Sequence, residues 1–141
     1  MLLYYYTDKA EALAAAMAAV AAGLAEQLEG AVPATALLSA RTLAAAAARF
    51  TIGPAVRPYM RLWIEVVAAA ARGEAPFPQL ARQIADGFIA WTEARLDSTG
   101  LADPRATATG IVALIDGLAV IAVCADEALV ARAAASLGDL V

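Results

Sequence analysis

Long runs of alanine, broken by glycine and proline, constrain the fold of this chain more than any other feature of its sequence. Alanine is the strongest helix former, and it accounts for 41 of the 141 residues. The breaks fall every 15 to 25 residues, as they do between the helices of a bundle. No segment alternates apolar and polar residues as a half-buried strand does. The pattern therefore predicts an all-α protein of one domain with a sizeable core.

The breaks and capping residues divide the chain into six helices behind a short amino-terminal segment. Asp8 and Glu11 form a capping box for the first helix. Asp103 and Asp126 are N-caps for the last two, and Pro104 suits a first helical turn. The second helix starts at Pro33 or a little later at Thr35, and the third at Val56 or Pro58. The predicted helices span about 8–29, 33–50, 56–72, 79–96, 103–123 and 126–140.

The composition excludes several functional classes. The chain has a net charge of −4 and a single lysine, whereas nonspecific DNA binding depends on clustered lysine and arginine. It has no histidine, which argues against zinc and di-iron sites and removes the usual acid–base residue near neutral pH. No nucleophile–base pair or phosphate loop is present. We therefore predict no catalytic residues, no metal, no cofactor and no enzymatic activity.

Hydrophobic residues make up 62% of the chain, which raises the question of a membrane protein. The longest uncharged apolar run, from Ala12 to Ala25, has 14 residues, fewer than the roughly 18 to 20 needed to cross a bilayer. The later run 111–125 is interrupted by Asp116. No cationic segment precedes the first apolar run, so no signal peptide is predicted. Cys124 is the only cysteine and is expected to be a buried, inert thiol. These features predict a cytoplasmic protein that makes no membrane contact.

Two short segments carry a resemblance to a known family. Tyr4, Tyr5 and Tyr6 precede Thr-Asp-Lys, and the segment 113–118 reads Ala-Leu-Ile-Asp-Gly-Leu. The first segment resembles the end of the DNA-reading helix of TetR-family transcriptional regulators. There, a pattern like Leu-Tyr-Tyr-His-Phe-x-Ser/Asp-Lys closes the helix-turn-helix. The second segment resembles the penultimate helix of the same family, which often carries Leu-Asp-Gly-Leu, and the order of six helices is also similar.

The resemblance implies a division of the chain and a role for its first residues. Residues 1–7 would be the remnant of the recognition helix, and residues 8–141 a six-helix TetR-type sensor domain for effector binding and dimerisation. Tyr5 and Lys9 would contact DNA phosphates, in an intact regulator only. Operator DNA is thus a partner of the intact form and not of this chain alone, because a helix fragment without its supporting helices is not presented to a groove. The alternative is that the tyrosines only pack the DNA-binding domain against the bundle.

The resemblance also implies an apolar cavity between the middle helices that takes a small apolar or amphipathic effector. The bulky side chains of those helices are the candidates to line it, although plain core packing is the alternative, since an alanine-rich bundle needs large residues to fill its interior. The candidate polar groups are Glu65, Asp86, Thr92 and Glu93, with a solvated helix face as their alternative. A carboxylate inside the pocket would favour a cationic ligand. The predicted ligand-binding residues are Met17, Phe50, Tyr59, Trp63, Phe88 and Trp91.

The last two helices carry a dimerisation pattern. Small residues recur at spacings of three and four beside large ones, an arrangement that lets helices approach closely and interlock. In the family these helices pair with their two-fold mates in a four-helix bundle, a self-complementary interface. Asp116 is expected to cap a helix, to pair with an arginine such as Arg132, or to lie at the interface rim. The predicted interface residues are Gly110, Leu114, Gly117, Leu118, Ile121, Leu129, Ala133 and Leu137.

Two functional hypotheses follow. The first is the ligand-sensing, dimerising portion of a TetR-like repressor that lacks most of its DNA-binding domain. The alternative is a helical homodimeric interaction module without a ligand. A cavity near Trp63 and Trp91 distinguishes the two, because only the sensor requires one.

Overall fold

The computed structural model describes residues 2–141, with side chains from Glu11 onward. The described residues form six α-helices and contain no strand. The prediction of an all-α fold is confirmed. The helices are α1 (Leu2–Ala31), α2 (Ala40–Thr51), α3 (Arg57–Ala71), α4 (Phe77–Arg95), α5 (Pro104–Cys124) and α6 (Glu127–Ser136), and a 3₁₀ helix (Leu137–Leu140) follows.

Several helix ends lie where the capping signals place them. The side chain of Asp103 accepts a hydrogen bond from the backbone N–H of Ala106 at 2.9 Å, and Asp126 does the same for Leu129 at 2.9 Å. Each carboxylate thereby satisfies one backbone donor of a helical first turn. Gly73 follows the last turn of α3 with a φ of +74°, a conformation that glycine adopts without strain.

The first helix is longer than predicted. α1 runs without interruption from Leu2 to Ala31, so the predicted turn at Thr7 and the predicted helix start at Asp8 are wrong. Neither threonine nor aspartate breaks a helix by itself, and the alanines that follow favour its continuation. The predicted phosphate contacts of Tyr5 and Lys9 concern side chains outside the described part of the chain.

The second helix starts later than predicted, at Ala40 instead of Pro33 or Thr35. The preceding segment is held extended against the end of α4. The N–H of Leu38 donates to the carbonyl of Arg95 at 2.8 Å, and the N–H of Asp97 donates to the carbonyl of Leu38 at 2.8 Å. These bonds satisfy backbone groups without a helix.

The last helix ends at Ser136, earlier than the predicted position near Leu140. The 3₁₀ helix that follows lies directly on α2. A Cβ atom on Gly138 would be 2.9 Å from the backbone oxygen of Arg41 and 3.2 Å from the Cβ of Ala45. The absence of a side chain at Gly138 therefore permits this close contact.

The interior consists of two separate apolar clusters. One joins α2, α5, α6 and the 3₁₀ helix around Leu43 and Ile111, which are each 1% exposed. The other joins α1, α3 and α4 around Met17 and Val66, which are each 2% exposed. The five helices α1 to α5 meet between the two clusters, around a cavity.

The membrane prediction needs a correction. The stretches Glu11–Ala31 and Pro104–Cys124 each have 21 residues and are long and apolar enough to cross a bilayer, which takes about 20 residues. The sequence argument from length is therefore wrong for these two helices. Two such helices are weak evidence for a membrane, because core helices of soluble proteins meet the same criteria. The absence of membrane contact stays a prediction.

Candidate ligand cavity

A cavity of about 90 Å³ lies between the two apolar clusters. Met17 of one cluster and Ile111 of the other both line it, so it occupies the place where the two clusters fail to fill the interior. Every helix from α1 to α5 contributes to its wall. Most of the lining is apolar, as is usual for small-molecule sites.

All six side chains predicted from the sequence to bind a ligand line this one cavity. Helical spacing accounts for part of this, because residues three or four apart share a helix face. Their role in binding a ligand stays a prediction. They are Met17 on α1, Phe50 on α2, Tyr59 and Trp63 on α3, and Phe88 and Trp91 on α4.

Of the four candidate polar groups, only Thr92 lines the cavity. Its hydroxyl donates to the backbone carbonyl of Phe88 at 2.8 Å, so its proton is used within α4. Glu65 is exposed on α3. Asp86 and Glu93 lie near Arg105 instead, with N–O distances of 3.7 and 3.2 Å, and their side chains are 61% and 37% exposed.

Asp116 provides the carboxylate of the cavity, a role that the sequence did not predict. Its Oδ1 accepts a hydrogen bond from the indole Nε1 of Trp63 at 3.0 Å. Asp116 therefore neither caps a helix nor pairs with Arg132, so those two expectations were wrong, while its place at an interface rim stays a prediction. No local sequence pattern indicates the contact with Trp63, because the two residues lie 53 positions apart in the chain.

Burial raises the pKa of the Asp116 carboxyl above its ordinary value of 3.8, and the hydrogen bond from Trp63 partly opposes that effect. Desolvation disfavours the charged form of a carboxyl group, while a donor to the carboxylate favours it. Among the described residues, Asp116 has no cationic partner within ion-pair distance. The group is thus a partly desolvated acid without a compensating positive charge.

A buried arginine holds the cavity wall in place from the other side. Arg95, on α4, is 4% exposed and donates from Nε to the carbonyl of Val32 at 2.8 Å. It also forms an ion pair with Glu29 on α1. The Nε1 of Trp91 donates to the same Glu29 carboxylate at 3.3 Å. No local sequence pattern indicates this group, because Glu29 lies more than 60 residues from Trp91 and from Arg95 in the chain.

An external groove of about 300 Å³ adjoins the cavity between α1 and α4. The residues that line both spaces are Ala21, Ile84, Phe88 and Trp91. These four side chains form a wall that the interior cavity and the groove share. The groove is mostly apolar, and Gln83 provides a polar side chain in its lining.

The predicted dimer residues fall into three groups by exposure. Leu118 and Leu137 are each 4% exposed and belong to the core of a single chain, so they offer no surface to a partner, and their assignment was wrong. Leu114 and Ala133 are partly buried and pack against the same core. The remaining four are exposed, namely Gly110, Gly117, Ile121 (45% exposed) and Leu129 (44% exposed).

The exposed side of α5 forms a continuous face, which we call the α5 face. It consists of Gly110, Ala113, Gly117, Val120 and Cys124, at spacings of three and four. Cys124 is exposed, so its predicted burial was wrong.

The chain matches no family model, no curated protein and no solved structure. Within the residues whose positions are described, no group of three or more His, Cys, Asp or Glu could hold a metal ion. Functional assignment therefore depends on the residues and the geometry of this chain.

Proposed function

We propose that the chain is the ligand-sensing and dimerising domain of a TetR-like transcriptional regulator that acts in the cytoplasm. A small apolar or amphipathic molecule binds between α1 and α5, and two copies associate through the α5 face. In an intact regulator, α1 joins this domain to the DNA-reading head. The ligand regulates DNA binding only if it binds one position of α1 more tightly than another. A ligand with equal affinity for both positions does not change the equilibrium between them.

The observation that carries this proposal is the cavity lined by both Trp63 and Trp91. An interaction module needs no internal space, and native interiors are normally packed to high density. This bundle instead leaves its two clusters unjoined and encloses a carboxylate at their junction. These features support a ligand sensor over the alternative module without a ligand.

The cavity size limits the ligand. About 90 Å³ is less than the roughly 150 Å³ of an engineered cavity that holds benzene, and below the roughly 300 to 1,000 Å³ of common ligand sites. A compound with one ring fits after a small displacement of the wall. A larger ligand must also occupy the adjoining groove of about 300 Å³.

Intrinsic fluorescence tests ligand binding directly, because the only two tryptophans of the chain both line the cavity. We expect indole and benzyl alcohol to change the emission saturably and to raise the melting temperature, since a ligand of the folded state stabilises it. The variant Ala85→Leu fills the cavity and should abolish both effects. The exposed Ala90→Leu on the same helix is the matched control and should retain them. Saturable binding that survives in Ala85→Leu would contradict the proposal.

Dimerisation through the α5 face has an equally direct test. A Cβ atom on Gly117 would meet nothing within 4 Å, so Gly117→Leu leaves the single chain undisturbed and blocks close approach of a second α5. Gly87→Leu on α4 is also in open space and serves as the control. Light scattering should give twice the 14.4 kDa chain mass for wild type and Gly87→Leu, and the single mass for Gly117→Leu. A monomeric wild type at micromolar concentration would refute this part of the proposal.

A further inference from the structure

Among the described side chains that line the cavity, Asp116 is the only carboxylate, and none is a lysine or an arginine. One of its oxygens accepts the hydrogen bond from Trp63, and the other has no protein partner among the described residues. That second oxygen is available to a ligand. The hydroxyls of Thr51 and Thr92 donate to carbonyls of their own helices at 2.9 and 2.8 Å.

The remainder of the wall is rich in aromatic rings. Five aromatic side chains surround the cavity, and each has a ring face with partial negative charge, which attracts cations. An anion in this space would be close to the carboxylate and the aromatic rings, and no described lysine or arginine lines the cavity to offset them. Arg95 lies over the Trp91 ring, but its charge is paired with Glu29. An ammonium group would gain from both the carboxylate and the rings. The five are Phe50, Tyr59, Trp63, Phe88 and Trp91.

We infer that the ligand of this cavity is a small lipophilic ammonium compound, a single apolar ring or branched chain bearing one protonated amine, whose N–H donates to Asp116. The small volume sets the size, the aromatic and aliphatic wall holds the apolar part, and the unpaired carboxylate fixes the position of the charge. This inference rests on the proposed ligand-sensing function and specifies the chemistry of its ligand.

Three probes of nearly equal shape test the charge preference: benzylamine, which is protonated at neutral pH, neutral benzyl alcohol, and anionic benzoate. Titration calorimetry and tryptophan fluorescence measure their affinities. For the wild type we expect benzylamine to bind about tenfold more tightly than benzyl alcohol, as a charge-assisted hydrogen bond exceeds a neutral one. Benzoate should bind more weakly than either.

Asp116→Asn is the critical variant, because its amide oxygen still accepts the hydrogen bond from Trp63 while the charge is removed. It should lose the tenfold preference and bind benzylamine and benzyl alcohol alike. Glu65→Gln removes the same charge from an exposed site on α3 outside the cavity and should keep the preference. Circular dichroism and a thermal melt establish that both variants fold.

The outcomes separate the two levels of the proposal. Binding of benzyl alcohol without any preference for benzylamine, or a preference that survives in Asp116→Asn, overturns the inference about charge and leaves the ligand-sensing function standing. Failure of all three probes to bind the wild type overturns both.

Discussion

The guanidinium of Arg95 lies 4.1 Å from the centroid of the Trp91 ring, close enough for a cation–π interaction. The two residues are one helical turn apart on α4, and the Nη1 of Arg95 donates to the carbonyl of Trp91 at 3.1 Å. Glu29 on α1 contacts both side chains. The indole that forms part of the cavity wall is thus fixed to the carboxyl end of α1, so ligand contact and the position of α1 are physically connected.

The first prediction concerns the stability that this arginine provides. Arg95→Met should lower the free energy of unfolding by about 2–3 kcal/mol, because it leaves the carbonyl of Val32 without its side-chain donor and removes the ion-pair partner of Glu29. Arg105→Met is the control. Arg105 is half-exposed and pairs only with surface carboxylates, so its loss should cost less than about 1 kcal/mol. Urea denaturation measures both, and equal costs would show that the burial of Arg95 is unimportant.

The second prediction concerns the contact of the 3₁₀ helix with α2. Gly138→Ala places a Cβ atom 2.9 Å from a backbone oxygen, a contact that requires backbone movement and should cost about 1–3 kcal/mol. Gly23→Ala in the middle of α1 meets nothing within 4 Å. Alanine there should be neutral or stabilising by up to about 1 kcal/mol. Thermal unfolding of the two variants should shift in opposite directions, and a neutral Gly138→Ala would contradict the close packing.

The third prediction is a pH dependence at Asp116. Because burial raises its pKa in the folded state, the native chain binds more protons than the unfolded chain, and the stability contributed by this group falls as pH rises through the folded pKa. Asp116→Asn has no carboxyl group at this position and therefore does not lose this stability as pH rises. The free energy of unfolding of Asp116→Asn, relative to that of wild type, should therefore be higher at pH 7 than at pH 4. Among the described residues of the cavity wall, Asp116 is the only carboxylate, and no histidine, lysine or arginine accompanies it. An advantage that is independent of pH would contradict the shift.

The fourth prediction uses Cys124 as a reporter of the α5 face. It is the only cysteine and is exposed in a single chain, so a thiol reagent modifies this position alone. In a dimer formed through the α5 face, the thiol should react several-fold more slowly than in the monomeric Gly117→Leu variant. The rate for wild type should also rise on dilution. Equal rates in wild type and Gly117→Leu at every concentration would mean that no partner covers this face.

The fifth prediction concerns coupling between the cavity and α1. Met17 and Leu24 are buried contacts of α1 that line the cavity, so a bound ligand changes the packing of this helix. Hydrogen exchange of α1 peptides should slow when benzylamine is added, and it should slow less in Arg95→Met. If benzylamine slows hydrogen exchange in other helices but not in α1, the ligand binds without coupling to α1, and this prediction is wrong.

Local sequence signals predicted the parts of the fold that local chemistry determines. The caps at Asp103 and Asp126 and the end of α3 at Gly73 follow from neighbouring residues alone. The start of α2 could not be predicted from neighbouring residues, because hydrogen bonds of Leu38 to residues 95 and 97 hold the segment before this helix extended. A contact between segments so distant in sequence leaves no trace in the local pattern.

In the candidate site, too, local features could be predicted from the sequence, and contacts between distant residues could not. The family resemblance implied a cavity, and the bulky side chains of the alanine-rich bundle were the candidates for its wall, because their size and helical spacing are visible in the sequence. The polar partners were not visible: Trp63 and Asp116 are 53 residues apart, and Glu29 and Arg95 are 66 apart. Burial of Leu118 and Leu137 within one chain was also missed, since an apolar residue of a terminal helix packs equally well against its own core or against a partner.

The thin wall between the cavity and the α1–α4 groove has a consequence for the kinetics of ligand exchange. Of its two aromatic members, Trp91 is held by Glu29 and stacked on Arg95, whereas no polar contact restrains Phe88. Side-chain rotation is far faster than the opening of a helical bundle. We therefore expect the rotamer of Phe88 to set how quickly molecules enter and leave, so that the residence time depends on this one ring while the affinity depends on Asp116 and the rest of the wall.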